Sequence, residues 1–293
     1  MSTLRELKGR IGSVASSEKI TGAMKMISSA KMHKAEQNLS RLVPFRNQLQ
    51  GIMGNLMQTD AEYTSELTDV RDVKTVTIVV LGSDEGLCGA YNINIFKGLL
   101  RHINELRKAN PSVMINVVPV GKKIVKAAAV VAGDGVAVER TEASPKSGID
   151  DIRRLVDTLK ADYVGGKTDR VEVVSMKFLS AGKQRLTVQQ LLPVSAESFG
   201  KADGPANRPY LFEPDANRIY NAILPLYVLS LAQEVFGQNA ASEQAARVMA
   251  MQSANDNAVK LHDSLKLEYN KLRQQGITTE LLDILGGQVE KYT

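Results

Sequence analysis

The sequence contains no tryptophan, one cysteine and three histidines, and aromatic residues occupy only 5% of its 293 positions. Cys88 has no partner for an internal disulfide, and with His33, His102 and His262 it gives no spacing typical of a zinc site. The 43% of apolar residues are therefore mainly Ala, Val, Ile and Leu, with ten Met. This composition favours long helices with narrow apolar stripes over a bulky aromatic core.

The sequence also lacks any run of about 18 or more apolar residues, so we expect no segment that spans a bilayer. Thr3-Leu4-Arg5-Glu6 fits a capping box at the start of a helix, and no signal-peptide pattern accompanies it. We therefore expect a protein that is intracellular as synthesised.

Positive charge is concentrated at the beginning of the chain, although the net charge is only +5. Residues 1–60 carry nine Lys and Arg against four acidic residues, whereas residues 210–293 carry seven against ten. The basic segment lacks interleaved aromatic residues for base stacking and matches no DNA-binding motif. A basic coiled-coil scaffold that binds nucleic acid stays open as an alternative, beside a basic arm that meets acidic protein surfaces.

Both ends of the chain repeat apolar residues three, four or seven positions apart, which predicts two long helices. The N-terminal stripe consists of Leu4, Leu7, Ile11, Val14, Ile20, Met24, Ile27, Ala30, Ala35, Leu39, Leu42, Leu49, Met53 and Leu56. The C-terminal stripe consists of Ile219, Ile223, Leu226, Leu231, Val235, Ala245, Met249, Val259, Leu265, Tyr269, Leu272, Leu281 and Leu285. Helices of about 55 and 75 residues are too long for a small domain to bury, so we expect an antiparallel coiled coil.

Three features of these helices carry further expectations. Pro44 and Pro225 should bend them locally, and Gly237 should mark a place where twist concentrates. Residues 240–254 have almost no bulky side chains, which predicts close packing against a partner helix or a thin rod inside a sleeve.

The middle of the chain has the period of strands. β-branched or alternating runs at 73–81, 113–120, 171–178 and 185–192 predict strands, the last two paired as a hairpin, with helices near 92–109 and 148–163 between them. We therefore predict an α/β fold, a Rossmann-like domain with a partly parallel sheet inserted between two coiled-coil helices. The predicted limits are 1–60, 74–195 and 210–293.

No motif in this middle region predicts catalysis. The loop from Gly82 to Asn92 has the spacing Gly-x-x-x-Gly-x-x-Gly, which is not a dinucleotide fingerprint, and Asp84 and Glu85 would repel an anion there. The Gly165–Thr168 run lacks the first glycine of a phosphate loop and precedes a strand. A nucleotide-binding enzyme stays a second alternative, but we expect no cofactor, no metal and a mechanical or assembly role.

Four blocks in order along the chain resemble the gamma subunit family of the F-type ATP synthase. They are Ile20–Met32, Ser83–Asn92, Ala241–Asn257 and the C-terminal run Ile277–Gly287. The resemblance implies a central rotor shaft that couples rotation of the membrane c ring to conformational changes of the catalytic beta subunits. It also implies that this chain does no ATP chemistry. The implied partners are the alpha, beta, epsilon and c subunits, with one copy of this chain per complex and membrane association only through the c ring.

The resemblance also implies contact residues. Met24 and Lys25 look like a patch facing beta, Arg273 and Gln274 like a pair that hydrogen-bonds a beta loop, and Thr278 and Glu280 belong to the same region. Tyr210 and Glu213 resemble the part near the c ring and epsilon. The implied location is the cytoplasmic side of a bacterial inner membrane, favoured over an organellar form.

Two places depart from the family pattern. Glu85 stands where the family commonly has a basic residue, so the salt bridge usual there is not expected. The end, 288–293, is more polar than the family's small apolar tail.

Overall fold

A computed structural model describes residues 3–57, 63–195, 199, 213 and 215–289. Its contacts divide the chain into two units, one of residues 1–28 with 248–293 and one of residues 29–247. The helices are α1 (Leu4–Leu56), α2 (Tyr91–Ala109), α3 (Lys122–Ala128), α4 (Ile149–Val164) and α5 (Ala216–Val289). The strands are β1 (Thr75–Leu81), β2 (Met114–Val120), β3 (Val136–Val138), β4 (Arg170–Ser180) and β5 (Lys183–Leu192). The three-part division predicted from the sequence stays a prediction about domains.

The second unit contains one five-stranded sheet in the order β3-β2-β1-β4-β5. The first four strands in that order are parallel to one another, and β5 pairs antiparallel with β4 as the predicted hairpin. The partly parallel α/β sheet is therefore confirmed. Sequence patterning missed α3, β3 and a 3₁₀ turn at Ala129–Val131, because each is too short to show a period.

Consecutive residues of a strand point to opposite sides of the sheet, so the apolar strands give this sheet two apolar faces. Helices cover both of them. On one face Ile78 and Val80 join a cluster with α2 and α3. On the other face Val79 and Leu81 pack in a cluster with α4 and with parts of α1 and α5. The chain therefore crosses from one face to the other between β3 and β4.

Within the second unit, α1 and α5 run antiparallel. Gly237 on α5 faces Leu39 on α1, and further along α1 Arg46 Nε lies 2.6 Å from the Glu234 carboxylate. A Cβ atom on residue 237 would lie 2.8 Å from Leu39 Cδ2, so glycine allows the two helices to approach closely here. Pro44 and Pro225 lie inside the helices, and neither ends its helix.

The first unit consists of the start of α1 and the last part of α5. Buried or half-buried side chains recur alternately four and three positions apart in both, which is a heptad seam. On α1 the seam contains Leu7, Ile11, Val14, Glu18, Thr21, Lys25 and Ser28. On α5 it contains Met251, Asn255, Ala258, His262, Leu265, Tyr269, Leu272 and Gly276. The two-helix coil predicted from the sequence is confirmed, with a more polar seam than expected.

The faces assigned to the two helices were partly wrong. Between Val14 and Ser28 the predicted apolar stripe of α1 departs from the seam, and Ile20 and Ile27 are 59% and 55% exposed, whereas its later members Leu39, Leu49, Met53 and Leu56 are buried. On α5, Leu226 and Leu281 are 50% and 55% exposed. Apolar spacing alone could not separate residues that face the partner helix from residues that face outward.

In the described part of α5, Ala216–Leu282, an 18-residue window reaches a mean hydropathy of 1.3, high enough for a membrane span by length and composition. Half of that window is buried inside the protein. Apolar residues of α5 such as Leu224, Val228 and Val235 belong to the core cluster under the sheet, which accounts for apolar character in this helix without a bilayer.

Candidate functional site

The four candidate residues near the end of α5 are all exposed. Arg273, Gln274, Thr278 and Glu280 extend from the first unit into solvent, and neither Arg273 nor Glu280 forms an ion pair with any described residue. Arg273 and Glu280 are seven residues apart and share one side of the helix, and Gln274 and Thr278 share another as an i,i+4 pair. Thr278 Oγ1 donates to the carbonyl of Gln274 at 2.9 Å. These groups are therefore available to a partner.

Apolar side chains accompany this polar group. Ile277, Leu281 and Ile284 are 50%, 55% and 61% exposed. Ile277 and Ile284 are seven residues apart and lie beside Arg273 and Glu280 on the helix surface. A helix end that exposes so much apolar area together with unpaired charge has the composition of a protein–protein contact.

The α1 patch has a different environment. Met24 and Lys25 are half-buried, and Lys25 occupies a seam position. The neighbouring Met26 and Ile27 are 68% and 55% exposed. The outward surface of this segment is therefore formed by Met26 and Ile27 more than by the two residues identified from the sequence.

A polar contact joins the helices beside this patch. Asn255 Nδ2 donates to the Glu18 carbonyl at 2.8 Å and lies 3.3 Å from Thr21 Oγ1. Gly22 packs against the same amide, since a Cβ atom there would lie 3.5 Å from Asn255 Nδ2. An amide in a coiled-coil seam specifies how two helices align, at some cost in stability.

The last two candidate positions give less information. Glu213 is exposed. Tyr210 lies outside the described residues.

The glycine-rich loop after β1 is held by its own polar groups. Asn92 Oδ1 accepts from the Ser83 backbone N–H at 3.0 Å, and Asp84 Oδ1 accepts from the Lys122 backbone N–H at 3.1 Å. Leu87 and Gly89 have positive φ angles of 63° and 60°, so the loop turns sharply. This geometry agrees with a structural turn.

Glu85 in this loop pairs with Lys146 across 2.6 Å, and both side chains are exposed. The hydrogen bond and charge of Lys146 lower the pKa of Glu85, and the same pairing raises the pKa of Lys146. The acidic residue at this position therefore has a basic partner from the loop before α4, in place of the salt bridge that the family pattern would give.

Sequence reasoning missed a buried ion pair that attaches α5 to this loop. Arg247 Nη2 lies 2.7 Å from Glu243 Oε1, and Arg247 also donates to the carbonyls of Glu85 and Gly86. Burial raises the pKa of Glu243, and the hydrogen bond from Arg247 opposes the rise. The i,i+4 spacing of opposite charges within a run of small residues was the available signal.

The same part of α5 packs on the sheet. Ala241, Ser242 and Ala245 are fully buried, and Ser242 Oγ donates to the carbonyl of Met176 on β4. The small side chains of 240–247 therefore allow close packing of α5 against the second unit's own strands, which the sequence did not predict. Close packing against a partner helix or inside a sleeve stays a prediction for this stretch.

The family model described as ATP synthase matches residues 3–289. The ATP synthase gamma chain of Bacteroides thetaiotaomicron is 38% identical, over 99% of this chain and 100% of its own. That of Parabacteroides distasonis is 37% identical over 98% of both. The chain belongs to the ATP synthase gamma chain family. Such a chain is the stalk subunit of the complex and is not catalytic by itself, which confirms the interpretation from the sequence motifs.

Solved structures agree on the fold. The central stalk and c-ring structure of the Tetrahymena thermophila mitochondrial ATP synthase contains a chain that is 25% identical, with a TM-score of 0.57 over 80% of this chain and 99% of that one. A chain of the Euglena gracilis mitochondrial ATP synthase rotor is 19% identical with a TM-score of 0.60, covering 94% of this chain and 98% of that one. The α/β sheet with two long terminal helices is therefore the fold of known stalk subunits.

Proposed function

We propose that this chain is the rotating shaft of a proton-driven ATP synthase, turned by a ring of c subunits and acting on catalytic beta subunits. Relatives named ATP synthase gamma chain align over almost the whole of both sequences, which supports this role. The observation that carries it is the exposed end of α5, where Arg273 and Glu280, which form no ion pair with any described residue, lie beside exposed apolar side chains.

The proposed contact with beta needs side chains that bind one conformation of the beta subunit and release another. Arg273 presents several N–H donors in a fixed planar fork, which suits a carboxylate or carbonyl of the partner. Gln274 adds a donor and an acceptor, and Thr278 and Glu280 extend the polar surface by one turn and two turns. Because these side chains are solvated when free, each new contact replaces water and can be broken again at small cost.

The α1 segment supplies a second proposed contact. Met24 and Lys25 are half-buried, Lys25 at a seam position, and the exposed Met26 and Ile27 beside them add apolar area. Lys25 places a positive charge where an acidic loop of beta would be attracted. Two contacts on different helices would make the shaft asymmetric, which is what forces neighbouring beta subunits into different conformations.

The remaining assignments complete the assembly. We propose that one copy of the chain meets alpha and beta through the coil, and epsilon and the c ring through the region of Tyr210 and Glu213. The gamma chains of 33–38% identity to this chain are bacterial, which supports a complex at the bacterial inner membrane, with this chain on its cytoplasmic side and attached only through the c ring.

The contact proposal is tested with the double variant Arg273→Ala, Gln274→Ala in the assembled complex. We expect ATP turnover to fall several-fold while the helix content of the purified chain is unchanged, because both side chains are exposed. Gln275→Ala is the matched control, since this exposed residue lies about 200° around the helix from Arg273. Turnover equal to that of the parent complex would remove the assignment of Arg273 and Gln274.

A further inference from the structure

The crevice at the end of β1 lies where a doubly wound sheet changes direction. From β1 the chain goes through α2 to β2 on one side, and it returns through α4 to β4 on the other side of β1. In sheets of this kind ligands bind in the crevice at the carboxyl ends of the two diverging strands. Here this is the crevice beside Leu81 and Ser175, where β1 ends and β4 continues to Ser180.

The extra length of β4 leaves backbone groups without a strand partner. The pairing of β1 with β4 ends at Val80 and Val174. Beyond that point the edge of β4 that faced β1 has polar backbone groups that need other partners, since buried backbone groups are almost always hydrogen-bonded.

Side chains of α5 supply those partners. Asn239 Oδ1 accepts from the Met176 N–H at 3.4 Å, Ser242 Oγ donates to the Met176 carbonyl at 2.9 Å, and Gln238 Oε1 accepts from the Phe178 N–H at 3.1 Å. The hydrogen-bond ladder that β1 leaves unfinished is thus continued by one helix turn of α5.

Asn239 also binds the other strand. Its Nδ2 donates to the carbonyl of Gly82, the first residue after β1, at 3.2 Å. The Tyr91 hydroxyl donates to Asn239 Oδ1 at 2.7 Å and lies 3.0 Å from its backbone carbonyl. Asn239 and Tyr91 are 1% and 3% exposed, so one amide joins β1, β4 and α2 where water does not compete.

We propose that α5 occupies this crevice, the usual ligand site of the fold, and forms a mechanical joint there. Asn239 is the positioning residue of this joint, through which torque passes between the sheet and α5. The inference rests on the proposed rotor function. A directional set of hydrogen bonds resists rotation of the helix about its own axis, whereas apolar packing alone is non-directional.

The joint is tested in assembled complexes in membrane vesicles by protons pumped per ATP hydrolysed. Asn239→Leu removes all hydrogen bonds of the Asn239 side-chain amide at similar side-chain volume. The double variant Tyr91→Phe, Ser242→Ala is a smaller change, because it removes only two hydroxyl groups and leaves Asn239 in place. We expect both to lower the ratio about fivefold while ATP hydrolysis stays within about twofold of the parent complex, because a loosened joint slips under load. If Asn239→Leu fails to assemble, the double variant decides.

Ser230→Ala is the matched control. Ser230 is as buried as Ser242 and donates one hydrogen bond of 2.8 Å, but its acceptor is the Tyr227 carbonyl within α5 itself. We expect its pumping ratio to equal that of the parent. A normal ratio in the joint variants, or an equal loss in Ser230→Ala, would overturn the proposal. The rotor function fails separately, if complexes assembled without this chain pump as well as those that contain it.

Discussion

Gly82 is the residue whose substitution by alanine should test the packing at the end of β1 most sharply. An added Cβ atom would lie 2.6 Å from Ile124 Cβ and 2.8 Å from Ile124 Cγ2. Favourable carbon contacts lie near 3.5 to 4.0 Å, so the two groups would overlap by about 1 Å. Ile124 is fully buried and β-branched, so its side chain has neither room nor a second comfortable rotamer.

The expected magnitude follows from two opposing effects. Overpacking a well-filled core costs about 1–3 kcal/mol. Replacing glycine by alanine also restricts the unfolded chain, which stabilises the folded state by about 0.4–1 kcal/mol where the backbone conformation allows alanine. We therefore expect Gly82→Ala to destabilise the second unit by about 1–2 kcal/mol, which in a unit of this size lowers its melting temperature by roughly 2–8 °C.

The assay is scanning calorimetry of the full chain, with a double-mutant cycle. Gly51→Ala is the control, because a Cβ atom on this helical glycine of α1 meets nothing within 4 Å and should stabilise. Ile124→Ala should cost less in the Gly82→Ala background than alone, with a coupling energy of at least about 0.5 kcal/mol. Additive effects, or a Gly82→Ala variant as stable as the parent, would refute the reasoning.

Two further predictions concern a helix cap and a buried carboxylate. Thr3→Ala should speed hydrogen exchange in the first turn of α1 several-fold, because Thr3 and Glu6 hold each other's backbone N–H groups; exchange unchanged from the parent would contradict this. Burial raises the pKa of Glu172, but hydrogen bonds and charges from His102 and Arg170 outweigh it and leave the pKa below its ordinary value. The ionised Glu172 therefore stabilises the folded state at pH values above its unfolded pKa, and this contribution is lost as the pH falls through its lower folded pKa. Glu172→Gln should therefore make the stability of the protein depend less steeply on pH in acid, as followed by circular dichroism. An identical acid midpoint and slope would count against the pairing.

Sequence patterning predicted the sheet well because its strands are long and β-branched. The runs containing Val76–Val80 and Ile115–Val118 are buried on both faces, and such strands appear as continuous apolar segments. The hairpin of β4 and β5 was predicted for a different reason, because two alternating runs lie close together in the sequence. Short elements such as α3 carry no period and could not be found.

The helices were predicted more reliably than the faces they use. Glu18 and Lys25 sit in the seam while Ile20 and Ile27 point outward, which inverts the usual rule that apolar residues are buried. Outward isoleucines are expected where a partner protein covers them. The sequence of one chain cannot distinguish an apolar residue that is buried against its own partner helix from one that is buried against another protein. The motif blocks found the proposed contact residues for a different reason, since they compare positions and do not depend on burial.

The joint at Asn239 was not predictable from local pattern. An asparagine inside a helix is ordinarily an exposed or weakly unfavourable residue. Its role follows only from the unequal lengths of β1 and β4, which is a property of the assembled sheet.

The seam of the first unit repeats every seven residues on both helices, and that number has a mechanical consequence. A straight helix has 3.6 residues per turn, so holding a strict seven-residue repeat together requires the pair to coil with a left hand. A left-handed coil responds differently to clockwise and anticlockwise torque. Torque of one sense winds its two helices more tightly around each other, and torque of the other sense unwinds them. A shaft built this way therefore does not respond to forward and reverse drive as mirror images.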